Sequence, residues 1–153
     1  MDSVKINALL TSETAKLPQY QTEFASGADL YAAIDAPLSI KPLERVLVPT
    51  CLILEIPAGY EGQVRPRSGV ALKYGVTVLN APGTIDADYR GEIGVILVNL
   101  GSESYTIQPH DRIAQLVISP VVKAVFSLER ECSAAEITQN SDRGAGGFGH
   151  TGR

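Results

Sequence analysis

The chain has 153 residues, 44% of them hydrophobic and 6% aromatic with no Trp, and it carries 14 Gly and 9 Pro. That is one domain's worth of chain, able to bury roughly two-thirds of the surface its unfolded form exposes, and too often broken by proline for long helices. Thirteen basic against 17 acidic residues leave a net charge of -4, which argues against the cationic field needed to gather a nucleic-acid backbone.

In chain order, apolar residues alternate with polar ones at Val4, Ile6 and Ala8. Short branched runs follow at Val46 to Val48, Cys51 to Ile56, Val76 to Leu79, Ile93 to Leu100 and Ile113 to Val122. Each predicts a strand. Turn chemistry separates them, as in Pro57-Ala58-Gly59, Asn80-Ala81-Pro82-Gly83, Asn99-Leu100-Gly101-Ser102 and Gln108-Pro109-His110-Asp111, at the spacing of sandwiches and barrels. An all-β domain is expected. One two-turn helix is predicted from Ser68 to Gly75, with Ser68 capping its start and Gly75 taking the left-handed conformation at its end. A second helix is expected over Ser133 to Ile137.

Cys51 and Cys132 stand far apart with no zinc-type spacing, and His110 and His150 are isolated, so a metal cluster is not expected. No stretch approaches the ~18 apolar residues of a membrane span, and Met1 to Lys5 lack a basic-then-apolar signal design, so a cytoplasmic protein is expected.

Four segments could carry chemistry. The densest polar stretch is Gly83-Thr84-Ile85-Asp86-Ala87-Asp88-Tyr89-Arg90-Gly91-Glu92. As a regular strand it would put two like charges, Asp86 and Asp88, on one face. A hairpin bracketed by Gly83 and Gly91 fits better, with Asp86 either solvated or polarising a water as a positioned base. Arg65-Pro66-Arg67-Ser68-Gly69 opens the predicted helix, where free N–H groups favour an anion; the alternative is a plain cap. Asp29, in Gly27-Ala28-Asp29-Leu30, is either a metal-directed carboxylate or a turn residue. Gln115 interrupts the apolar strand Arg112 to Val117, as a structural amide or a ligand contact.

The C-terminal stretch Asp142 to Gly152 holds five glycines and one large apolar residue, Phe148, too little to fold on itself. Gly144, Gly146 and Gly149 spell G-x-G-x-x-G, but the chain runs on for only four residues, with no room for the helix a dinucleotide fold requires.

Together, Gly27 to Leu30, Arg65 to Gly69, Asn80 to Glu92, Arg112 to Val117 and Arg143 to Gly152 resemble, in order, the five motifs of the homotrimeric dUTPase family, from about residue 24 to the C-terminus. The resemblance implies an all-β subunit, a jelly-roll-type β-barrel with one short α-helix. Residues 1–142 would form the barrel and 143–153 a flexible Gly-rich lid. It implies a homotrimer with active sites at subunit interfaces, and a dUTP diphosphatase that yields dUMP and pyrophosphate with Mg2+ on the triphosphate. Such activity limits uracil incorporation into DNA and supplies dUMP for dTMP synthesis.

By the same resemblance, Asp86 activates the water that attacks the α-phosphorus and Asp29 holds the metal through water. Asn80 and the backbone of Gly83, Thr84 and Ile85 read uracil, while Tyr89 packs under the deoxyribose and leaves no space for a 2′-hydroxyl. Arg67, Ser68, Gly69 and Gln115 contact phosphates. In the tail, Phe148 stacks over uracil, Arg143 reaches the γ-phosphate, and Gly147 and Gly149 give backbone N–H groups close access. His150 stands where family tails commonly carry Ser, replacing a hydroxyl donor by an imidazole. Two other readings compete: the related dCTP deaminase branch, and a trimeric nucleotide-binding regulator without turnover.

Overall fold

A computed structural model describes residues 3–128, 133–138 and 141–146 of the chain. The chain divides into two compact units, Met1–Val122 and Lys123–Arg153. No described helix is long and apolar enough to cross a membrane.

The first unit is built from strands β1 (Asn7–Leu10), β2 (Ala28–Tyr31), β3 (Leu38–Ile40), β4 (Arg45–Pro49), β5 (Leu52–Glu55) and β6 (Tyr60–Arg65), then helix α1 (Ser68–Tyr74), then β7 (Val76–Val78), β8 (Gly83–Ile85), β9 (Gly94–Asn99), β10 (Tyr105–Ile107) and β11 (Arg112–Pro120). Every strand pairing is antiparallel. The strands form four sheets, β1-β5, β10-β3, β2-β11-β6-β8 and β4-β9-β7, with no single closed ladder among the described residues. The all-β expectation holds.

The period of two sets the core. Along β9, Val95 and Leu97 point inward at 0% and 2% exposure, and Leu116 of β11 and Val64 of β6 face the same interior. Leu30, Val48, Leu52, Ile56, Val76 and Ile107 complete one continuous apolar cluster. Pro49 and Pro120 close their strands rather than interrupt them, and β4 is an edge strand, where a missing N–H costs least.

Two buried polar side chains tie loops to this core. Thr50 donates its hydroxyl to the Ile93 carbonyl at 2.6 Å. Asn99, fully buried, donates to the carbonyls of Ile40 (2.9 Å) and Glu103 (2.8 Å) and accepts from the Gly101 N–H (2.9 Å). That carboxamide satisfies the Ile40 carbonyl at the end of β3 and two backbone groups of the turn after β9.

Helix α1 lies where the sequence predicts it, but Ser68 is its first residue rather than its cap. The cap position belongs to Arg67, in extended conformation (φ -93, ψ 124), and no side chain caps the helix. The guanidinium of Arg67 is drawn instead to Asp29. At the other end Gly75 takes φ 69 and donates its N–H to the Ala71 carbonyl at 3.0 Å, the left-handed ending glycine favours. A Cβ on Gly75 would also strike the backbone of Gly101. The Leu100 N–H donates to the Gly75 carbonyl at 2.9 Å, and no residue of α1 is buried.

The expected hairpin between Gly83 and Gly91 does not form. Only Gly83–Ile85 is strand, and it pairs with β6, Ile85 opposite Gly62 and Gly83 opposite Val64. Gly62 makes room there, since a Cβ on it would crowd Ile85, Ile56 and Leu116. The chain then turns at Asp86, with the Tyr89 N–H donating to the Asp86 carbonyl at 3.1 Å, and crosses to β9 in another sheet. The turn keeps Asp86 and Asp88 off a shared strand face.

In the second unit, α2 (Ala134–Thr138) begins one residue later than expected. Ser133 and Glu136 form its capping box: the Ser133 N–H donates to Glu136 at 2.7 Å and the Glu136 N–H to Ser133 Oγ at 3.3 Å. These bonds hold the Glu136 carboxyl below its ordinary pKa.

Candidate active site

The expected site residues of the first unit fall into two groups. The first is built on the register of the four-stranded sheet. Asp29 in β2 and Arg65 in β6 both lie opposite Gln115 in β11, so the three side chains share one face of the sheet. Asp29 is 7% exposed, and a buried carboxylate needs compensation. Arg67 Nε lies 3.0 Å from its Oδ1 and Arg112 Nη1 lies 3.2 Å from its Oδ2. Arg67 also donates to the backbone carbonyl of Arg112 at 3.0 Å. The result is two guanidinium groups closed on one carboxylate, with Ser68 and Gly69 exposed just beyond.

Gln115 donates its amide to the Pro66 carbonyl at 2.9 Å, which fixes the chain entering α1. Gly27 packs against the same carboxamide, where a Cβ would overlap it. That bond gives Gln115 a structural duty and fixes the approach to Arg67. Asp29 is a strand residue rather than a turn residue.

The second group surrounds the turn after β8. A cleft of about 200 Å3 is lined by Thr84, Ile85, Asp86, Tyr89, Glu92, Ile93 and Gly94. Asp86 is exposed to it. Tyr89 anchors its ring by donating its hydroxyl to the Glu92 carbonyl at 3.0 Å. Arg90 Nη1 donates to the carbonyls of Ala87 (2.7 Å) and Tyr89 (2.8 Å), tying the turn that carries Asp86. Asn80 folds over Gly83, close enough that a Cβ on the glycine would lie 3.2 Å from its amide nitrogen. A larger cleft of about 480 Å3 lies behind this turn, between Lys5, Glu55, Pro57, Asp88 and Arg90, and holds none of the expected site residues.

Among the described residues, no hydrogen bond or ion pair joins Asp86 to the Asp29 group. Arg143 belongs to the second unit, where its Nε donates to the Gly146 carbonyl at 2.7 Å. Gly147, Phe148, Gly149 and His150 lie outside the described residues. Sequence reasoning gave no role to Arg112 or Arg90 and read Gly91 only as the close of a hairpin. Arg112 meets Asp29 across a separation of 83 residues, which no local pattern reports. Arg90 and Gly91 act on their immediate neighbours and read as ordinary turn residues.

No three His, Cys, Asp or Glu side chains among the described residues gather as a metal cage. Asp29 nevertheless retains a lone pair on each oxygen beside its two arginines. A single carboxylate of that kind suits the hydrated shell of Mg2+, which keeps several waters and takes the rest of its ligands from phosphates.

Residues 13–152 match the family model described as dUTPase. The chain is 57% identical over 141 residues to a deoxyuridine 5'-triphosphate nucleotidohydrolase of Desulfotalea psychrophila, covering 92% of this chain and 90% of that one. Among solved structures, a mutant dUTPase of Staphylococcus bacteriophage 80alpha with dUpNHpp superposes with a TM-score of 0.85 at 26% identity, over 99% of this chain and 100% of that one. A mutant dUTPase from phage phi11 of S. aureus, described for its coordination of a structural Mg(II) ion, gives a TM-score of 0.76 at 25% identity, over 84% and 98% of the two chains.

Proposed function

The chain belongs to the dUTPase family and hydrolyses deoxyuridine triphosphate, and from that premise we propose how its own residues divide the work. Asp86 orients and deprotonates the water that attacks the α-phosphorus, giving dUMP and pyrophosphate. The observation that carries this reading is the shared cleft: Asp86 opens into the same 200 Å3 space as Tyr89, Thr84 and Ile85, so base and sugar contacts would sit beside the attacking group.

Asn80 and the backbone of Gly83, Thr84 and Ile85 hold the uracil edge. Tyr89 lies under the deoxyribose, where a ribose 2′-hydroxyl would collide with its ring. Arg67, with Ser68, Gly69 and Gln115, takes the phosphates; Asp29 fixes where that guanidinium starts from. Four negative charges on the nucleotide need fixed donors before a carboxylate can work beside them. Mg2+ bound to the triphosphate supplies further charge neutralisation, and Asp29 is the residue that would hold its waters.

Residues 143–153 act as a lid. Phe148 stacks on uracil, Arg143 reaches the γ-phosphate, and Gly147 and Gly149 let backbone N–H groups approach; closure excludes bulk water. Three copies assemble with sites at their interfaces, in the cytoplasm.

The test is pyrophosphate release from dUTP, dCTP, dTTP and UTP by the wild type and by Asp86→Asn. Rapid release from dUTP alone, lost by roughly a thousandfold or more in the variant, is expected, each ~1.4 kcal/mol of lost transition-state stabilisation being tenfold. Comparable turnover of dCTP, or an unimpaired variant, defeats the assignment.

A further inference from the structure

Gly91 has no conformational reason to be glycine, because its backbone is not in the left-handed region that Gly59, Gly75 and Gly144 occupy. Its reason is space. A Cβ built there would strike the Tyr89 ring, overlapping the hydroxyl and lying 2.6 Å from Cζ and 3.0 Å from Cε2. The hydroxyl end of Tyr89 therefore rests directly on the Gly91 backbone while donating to the Glu92 carbonyl at 3.0 Å. Gly91 does not line the cleft that Tyr89 shares with Asp86; it supports the ring from behind. Tyr89 is 43% exposed, so no core packing fixes the ring in its place.

We propose that Gly91 is the positioning residue for Tyr89, and that the seat formed by Gly91 and the Glu92 carbonyl sets the depth of the sugar pocket and with it the rejection of ribonucleotides. This rests on the reading that Tyr89 packs under the deoxyribose. A methyl group at position 91 forces the anchored ring to shift. That shift strains its bond to the Glu92 carbonyl, and the floor of the pocket loses its fixed height. A shape-based rejection is worth only one to two orders of magnitude even when the pocket is rigid, so a displaced floor forfeits most of it.

The experiment measures kcat/KM for dUTP and for UTP in the wild type, Gly91→Ala, Tyr89→Ala and the double variant, with thermal unfolding of each. Gly91→Ala is expected to lower the dUTP/UTP ratio about tenfold, mainly through KM, while its unfolding midpoint stays close to that of the wild type. In the Tyr89→Ala background the same change is expected to alter the ratio less than about twofold, the non-additivity of residues that act as a unit. An unchanged ratio in Gly91→Ala, or equal effects in both backgrounds, overturns the role of Gly91 alone. An unchanged ratio in Tyr89→Ala overturns the sugar-packing reading and this inference with it. Should Gly91→Ala fail to fold, Tyr89→Phe removes the anchoring hydroxyl without adding bulk. It is expected to lower the ratio about threefold or more, and a ratio equal to wild type overturns the seat.

Discussion

Asp29→Asn keeps the shape of a buried side chain and removes the charge that two arginines share. Breaking one partner of a fully buried ion pair costs about 3–5 kcal/mol, whereas exposed pairs are worth about 0–1 kcal/mol. The side chain of Arg67 is 26% exposed and that of Arg112 44%, so both contacts fall between these limits. Discounting for solvent, about 1.5 kcal/mol for Arg67 and about 0.5 kcal/mol for Arg112 sum to about 2 kcal/mol. The amide recovers little of it, because its oxygen can serve one arginine while its NH2 group faces the other, donor against donor.

Thermal and urea unfolding followed by circular dichroism, at one fixed protein concentration, measure this difference. A loss of about 2 kcal/mol lowers the midpoint by about 4–8 °C for a chain of this size. In the Asp29→Asn background, Arg67→Met is expected to be nearly silent in stability. Stability within about 0.5 kcal/mol of wild type, no more than one exposed pair contributes, refutes the argument that Asp29 is clamped.

Asn99→Ala should cost about 3 kcal/mol in urea unfolding, since it strips partners from three backbone groups inside the fold. Tyr105 has its pKa raised, first by burial and then by the charges of Asp111 and Tyr74, with Arg67 opposing. Its neutral form is thus the one the fold favours, so its contribution is complete below pH 10 and is lost as pH climbs further. Unfolding midpoints across that range should fall more steeply for wild type than for Tyr105→Phe. Deleting residues 143–153 should cut dUTP turnover by about a hundredfold or more, the scale of one lost electrostatic contact to the transition state, with the circular dichroism spectrum unchanged.

The strands visible in the sequence were those with branched runs and turn residues at both ends, β4, β5, β7, β9 and β11, while the alternation at Val4, Ile6 and Ala8 marks a strand that in fact runs from Asn7 to Leu10. Short strands hid. β3, β8 and β10 have three residues each and lack the paired valines that mark the equally short β7, and they exist because a neighbour offers a ladder. β2 hid for another reason: Ala-Asp-Leu-Tyr places a carboxylate where a buried strand ordinarily carries an apolar side chain, and two distant arginines make that tolerable. β6 reads as polar because Glu61, Gln63 and Arg65 face outward, leaving only Gly62 and Val64 to mark its buried side. The site shows the same division. The candidate residues were legible as motifs, whereas the contacts that hold them, Arg112 on Asp29 and Tyr89 on Gly91, depend on register and on a missing Cβ.

Helix α1 contributes no fully buried residue; it is secured at its tips, by Arg67 on Asp29 in front and by the backbone of Gly75 against Gly101 behind, and on its inner side by Val70 against the core and the Tyr74 ring against Tyr105. Like a rod held between two brackets, its outermost point at Leu72 is free of structural duty. Leu72 is 92% exposed, and Lys73 stands beside it on the surface. Evolution can therefore rewrite that point, to meet a different neighbour or a different solvent, while Arg67, Ser68 and Gly69 stay where the sheet has put them.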